Sequence, residues 1–127
     1  MNNKSQYWIG LADYDIETAR AMLQTGRYLY VGFMCHQTTE KALKAIIARN
    51  ETMPPKIHGL MRLALLGGIY DLMNENQKDF LDTLDPLNIS ARYPEQKDKL
   101  YSIHTKERRE RVLGETEVLL CWIKQQL

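Results

Sequence analysis

The chain has 127 residues, 44% of them apolar, with 17 basic and 16 acidic side chains and a formal net charge of +1. This length suits one domain over residues 1–127 built on a single core, and the charge balance excludes the global electrostatics of a duplex-coating protein or a membrane-surface binder, so any contact with nucleic acid has to be local. No apolar run approaches the ~20 residues of a membrane span, and Met1 to Gln6 hold no apolar signal core, so a cytoplasmic protein is expected.

Residues 6–25 read as an amphipathic helix. Asp13, Glu17, Arg20 and Gln24 step along a solvated face, and Trp8, Leu11, Ala12, Ile16, Ala19, Met22 and Leu23 fill the opposite arc. Asp15 falls inside that apolar arc, where a carboxylate needs a partner; Lys41, Lys44 and Arg92 are the candidate cations. Gly26 stops the helix. The second helix, from Tyr28 to Arg49, has no proline and carries Phe33, Met34, Leu43, Ile46 and Ile47 so widely around its wheel that neighbours must wrap most of it. At ~100° per residue, however, His36, Glu40 and Lys44 form one line on this helix, with Gln37 and Lys41 beside it.

Asn50 to Gly59, containing Pro54 and Pro55, is a polar break before a short apolar helix from Leu60 to Leu66, which Gly67 and Gly68 close. Asn74 caps a fourth helix, with Gln77 completing a box-like cap, and Pro86 is expected to end it. Leu87 to His104 has no clean period and reads as a functional loop or a loop with one helical turn. Thr105 then caps the last helix, whose buried stripe is Val112, Leu113, Thr116, Leu119, Leu120 and Ile123. With no repeat, no Gly-rich phosphate loop and no alternating apolar run, the reading is all-α: an up-down antiparallel four-helix bundle with one short extra helix. Cys35 and Cys121 sit among apolar helical neighbours without metal-ligand spacing, so two buried free thiols are expected, and no metal or cofactor.

The seam of His36, Gln37, Glu40, Lys41 and Lys44 has a bland reading as a solvated stripe, in which Glu40 and Lys44 make an ion pair worth only ~0.3 to 0.5 kcal/mol. Its functional reading is a cleft in which Lys41 and Lys44 supply point charges to phosphate and Gln37 meets a base or ribose, with Asp15 and Glu40 as cleft partners. His58 follows two prolines and a lysine and precedes Gly59, the setting of a loop residue presented by a constrained backbone, although capping of the next helix explains it too. Arg92 and Tyr93 precede Pro94; a guanidinium beside an aromatic ring grips phosphate and stacks on a base, and loop anchoring is equally open. Lys106 to Arg111 reads as a solvated ion-pair face or as a small anion-binding patch. Trp122, Val118 and Cys121 lie off the main stripe of the last helix, and Tyr7, Tyr14 and Ala21 flank that of the first, which suggests an apolar patch for dimer pairing.

The Cys35 to Ala45 run, with Lys56-Ile57-His58-Gly59-Leu60 and Ala91-Arg92-Tyr93-Pro94, resembles the HEPN family, small helical domains proposed to bind nucleotides and found in bacterial toxin-antitoxin and defence loci. The resemblance covers nearly the whole chain and implies a four-helix bundle, a symmetric homodimer, and a separately encoded minimal nucleotidyltransferase as partner. It implies a nucleotide or RNA phosphate as ligand, held by Gln37, Lys41, Lys44, His58, Arg92 and Tyr93. HEPN ribonucleases carry an arginine and a histidine with about four to six residues between them, a pair suited to acid-base work and phosphate charge stabilisation. Here Arg27 to His36 and Arg49 to His58 leave eight between, and Arg92 to His104 leaves eleven. That departure argues against catalysis, with a metal-independent endoribonuclease using Arg92 and His58 or His104, or a non-catalytic interaction module, as the alternatives.

Overall fold

A computed structural model describes residues 1–92 and 104–127, with Arg92 described by its backbone alone. Among these residues the regular structure is helical: α1 (Asn3–Gln24), α2 (Tyr28–Ala48), α3 (Leu60–Leu66), a 3-10 turn at Tyr70–Leu72, α4 (Glu75–Arg92) and α5 (Lys106–Gln125). The expected all-helical bundle with one short extra helix is the observed architecture.

Local chemistry sets most of the boundaries. Asn2 opens α1 by accepting the Ser5 N–H at 2.8 Å. The chain turns after α1 at Gly26, whose φ of +75° is the left-handed conformation that glycine adopts at least cost. Asn74 and Gln77 form a reciprocal cap on α4: the Gln77 N–H donates to Asn74 Oδ1 at 2.8 Å and the Asn74 N–H to Gln77 Oε1 at 2.9 Å. Thr105 accepts the Arg108 N–H at the start of α5. Pro86, expected to end the fourth helix, lies inside α4, which continues through Arg92. Its ring faces solvent while Leu84, Leu87 and Asn88 are buried, so the packing of the inner face outweighs the one backbone hydrogen bond that proline removes. Residues 87–92, expected in a loop, are therefore helical.

The other helices pack on α2, which contributes Val31, Cys35, Ala42, Leu43, Ile46 and Ile47 to the core. Ala12 and Ala19 present small buried side chains on the inner face of α1, a face that lets two helices approach closely, and Ser5 there donates its hydroxyl to the Ala45 carbonyl of α2 at 2.8 Å. Ion pairs between Arg20 and Glu117 and between Asp13 and Lys124 run antiparallel across α1 and α5. All six residues expected in the stripe of α5 are buried, and Arg109 is buried with them, which corrects its place on a solvated face. Both cysteines are free, but only Cys35 is buried; Cys121 is exposed, because α5 turns that flank away from the core.

Candidate functional site

The polar line on α2 is buried, and its groups are joined into one network. Glu40, 4% exposed, is the centre. Its Oε2 accepts from Lys44 Nζ at 3.2 Å and its Oε1 lies 2.9 Å from His58 Nδ1. His36 sits one turn earlier, with Nδ1 3.9 Å from Glu40 Oε1 and Nε2 3.1 Å from Asp85 Oδ1 on α4. Burial pushes the His36 imidazole below its ordinary value, against the opposite pull of Asp85 and Glu40. A neutral ring that donates from Nε2 to Asp85 fits this setting and leaves Nδ1 without a hydrogen bond. Asp85 also accepts the Leu60 N–H at 3.4 Å, so the first turn of α3 is tied to the same carboxylate.

Asp15 meets Lys41, with Nζ 2.5 Å from Oδ2, so the buried carboxylate of α1 has the cation its place in the apolar arc demands. Lys44 lies with its ammonium 5.4 Å from the centroid of the Trp8 ring, which adds a cation-π contact to its pairing with Glu40. Gln37 donates to Asn88 of α4 at 3.4 Å. The seam is thus not a solvated stripe: α1, α3, α4 and the His58 loop close over it. It reaches the surface at the His58 side chain, 54% exposed, and that of Asp85, 40% exposed, with Lys41 and Gln37 partly exposed along α2. With Nδ1 turned to Glu40, His58 presents Nε2 outward.

The structure joins His58, Glu40 and Lys44 directly and sets Lys41 and Gln37 beside them on α2. Arg92 ends α4, but its side chain, Tyr93 and Pro94 lie outside the described residues. Sequence reasoning misses Asn88 because Pro86 reads as a helix end, and misses Asp85 because its partners, His36 and the Leu60 N–H, lie on other elements; with helix continued through Pro86, Leu84, Leu87 and Asn88 show which way that turn faces. His104 is buried, with neither ring nitrogen hydrogen-bonded among the described residues, so of the two histidines considered for acid-base work His58 alone turns its ring to solvent. Among the described residues no group of three or more His, Cys, Asp or Glu has the arrangement of a metal site. An open groove of about 580 Å³ between α4 and α5, lined by Asn74, Gln77, Phe80, Thr83, Val118 and Leu119 among others, shares no residue with the seam. Its charged lining residues, Asp79 and Glu115, are acidic, so it does not suit phosphate.

Comparison with known proteins gives the same fold. The model of the HEPN domain matches residues 5–126. The crystal structure of TT1696 from Thermus thermophilus superposes with a TM-score of 0.82 at 22% identity, over 99% of this chain and 100% of that one. No curated protein matches the chain.

Proposed function

Because the chain belongs to the HEPN domain family, we propose that it binds a nucleotide or an RNA phosphate in the polar cleft along α2, without chemistry of its own and in company with a separately encoded minimal nucleotidyltransferase. One observation carries the reading: a helix otherwise committed to the core buries a connected line of ionic groups and brings it to the surface at His58. Packing alone gives no reason for it, since a buried ion pair replaced by apolar residues of similar volume is often neutral or stabilising.

Within the cleft, Lys41 keeps donors beyond the one given to Asp15, and His58 offers Nε2 while Glu40 fixes its orientation. Gln37, Lys44, Arg92 and Tyr93 complete the proposed ligand set, with the Trp8 ring as an added stacking surface. Asp15 and Glu40 compete with the ligand for the same cations, so binding is weak and falls steeply with salt. A two-fold homodimer belongs to the same proposal. Tyr14 and Val118, each 72% exposed, Tyr7 and Cys121 offer apolar or aromatic surface on α1 and α5.

Calorimetry with nucleoside phosphates and fluorescence anisotropy with a labelled RNA at low salt test the binding. Lys41→Ala and Arg92→Ala should each weaken it by roughly 1 to 3 kcal/mol, the range for a charge-assisted hydrogen bond, while Lys106→Ala should leave it unchanged. If neither ligand binds, or both variants bind as the parent does, the seam is structural and an interaction module replaces this reading. Light scattering that reports a monomer at micromolar concentration removes the dimer.

A further inference from the structure

One side of the bundle is left open among the described residues. α4 packs on α2 and α3, and α5 packs on α2 and α1, but α4 and α5 do not pack on each other to any comparable extent. The groove of about 580 Å³ lies between them. Its floor is apolar: Phe80 and Leu119 are 7% and 3% exposed, and Val118 stands open beside them at 72%. The lining runs along α4 from Asn74 to Thr83, a rise of about 13 Å, and along α5 from Gly114 to Leu119. A Cβ at Gly114 would meet no atom within 4 Å, so the α5 wall is bare backbone at that point. The charged lining residues are Asp79 and Glu115, one on each wall and both exposed, and neither has an ion-pair partner among the described residues. Lys78, next to Asp79 in the chain, is engaged with Glu75 and the Tyr70 ring. Asn74 and Gln77 are spent on the cap of α4, and the Thr83 hydroxyl donates to the Asp79 carbonyl, so the carboxylates are the unspent charges of the groove.

We propose that this groove is the docking site of a cationic amphipathic helix carried by a partner protein. A trough between two helices, with an apolar floor and a length of more than two helical turns, takes a third helix whose apolar residues at i, i+4 and i+7 rest on Phe80, Val118 and Leu119. The distance between packed helices is set by the side chains at the contact, so Gly114 lets the incoming backbone come close. Lysine or arginine on both flanks of that helix meets Asp79 and Glu115, whereas an acidic helix or a phosphate backbone meets like charge on both walls. Because both carboxylates are exposed, they select the partner, and the apolar floor supplies most of the affinity. The groove shares no residue with the seam on α2 and stands whether or not the seam binds a nucleotide. Val118 belongs also to the surface proposed for pairing two copies, so a second copy of this chain is the competing occupant.

The test uses the intact protein and three synthetic helical peptides, read by fluorescence anisotropy and by amide resonances. Two peptides share one apolar stripe and carry either lysine or glutamate on its flanks; the third has the lysine composition with the stripe scrambled. The lysine-flanked helix should bind at least tenfold more tightly than the other two and move the resonances of Phe80, Gly114 and Val118. Asp79→Asn combined with Glu115→Gln should keep the parent's unfolding temperature and weaken that binding at least tenfold. Gly114→Leu should be at least as stable as the parent yet lose the peptide, an outcome that damage to the fold does not produce. Lys41→Ala, on the seam, should bind as the parent does. Failure of the lysine-flanked peptide to bind, equal binding of the lysine and glutamate peptides, or parent-like binding by the Asp79 and Glu115 double variant overturns the proposal. Light scattering decides against the second copy: a dimeric parent that Gly114→Leu turns into a monomer shows the groove filled by this chain itself and overturns the proposal equally.

Discussion

Removing the Glu40 carboxylate should cost this protein a large part of its stability. Both side chains of the Glu40–Lys44 pair are at least nine-tenths buried, with a 3.2 Å hydrogen bond between them. Glu40→Ala leaves the Lys44 ammonium in the core with the Trp8 ring and no carboxylate, and a buried pair broken in this way costs about 3 to 5 kcal/mol. The His58 contact adds little, because that half-exposed ring rehydrates. An unfolding entropy of ~2.1 cal/mol/K per residue gives about 0.27 kcal/mol/K for the chain, so a loss of ~4 kcal/mol lowers Tm by about 15 °C. Urea unfolding followed by circular dichroism should show a lower midpoint at unchanged slope. The pairing account makes a sharper demand of Glu40→Ala combined with Lys44→Met: it should be more stable than Glu40→Ala alone, since the stranded charge has gone and methionine still covers Trp8. A Tm shift under about 3 °C for Glu40→Ala, or a double variant worse than the single, refutes the reasoning.

Other consequences follow from particular residues. The His104 pKa falls from 6.5 to about 4 on folding, so the unfolded chain binds the extra proton between those values; stability should drop as pH falls from 6.5 to 4, by up to roughly 3 kcal/mol, and His104→Asn should flatten that limb of a pH series. Cys121 is exposed in the single chain and Cys35 buried with its thiol raised to about 11, so a thiol reagent should label one cysteine in the native monomer, at a dilution where light scattering shows no dimer, and both in denaturant. Gly32→Ala should destabilise by about 1 to 3 kcal/mol through overpacking against Arg109 and Leu87, although alanine favours helix, and the penalty should shrink in an Arg109→Ala background. Gly114→Ala, with no atom within 4 Å of the new Cβ, should instead stabilise by about 0.5 to 1 kcal/mol in thermal unfolding.

Periodicity and caps made the fold legible. Leu60–Leu66 is read to the residue, because two glycines follow it and the loop before it holds two prolines. Asn74 with Gln77, and Thr105, mark their helix starts by side chains that have no better use there. Pro86 misleads for a reason rooted in the same physics. Proline is a local signal, worth one backbone hydrogen bond and a steric clash, whereas α4 is held by Leu84, Leu87 and Asn88 packed on α2, a tertiary contact that no local rule contains. Arg109 is misplaced similarly: within Lys106 to Arg111 the residue types look uniformly solvated, and only the phase of the apolar stripe that follows puts Arg109 on the inner face.

The site was legible as a line but not as a circuit. Wheel geometry places His36, Glu40 and Lys44 on one face and Asp15 among apolar neighbours, and from burial alone it requires that Asp15 find a cation. It does not say which groups meet, because pairing joins elements far apart in the chain: Asp15 with Lys41 across α1 and α2, His58 with Glu40 across a loop, Asp85 with His36 across α4. That difference changes the electrostatics. Counted along α2, the seam looks like converging positive charge; counted in space, the Lys41 and Lys44 ammonium groups are set against the carboxylates of Asp15, Glu40 and Asp85. A phosphate at the seam therefore enters a field already occupied by carboxylates and gains most at its exposed edge, beside His58 and Lys41. Arg109 stands in the opposite condition, a buried cation whose described neighbours supply no negative charge, on a helix whose first turn reads in sequence as an ordinary solvated face.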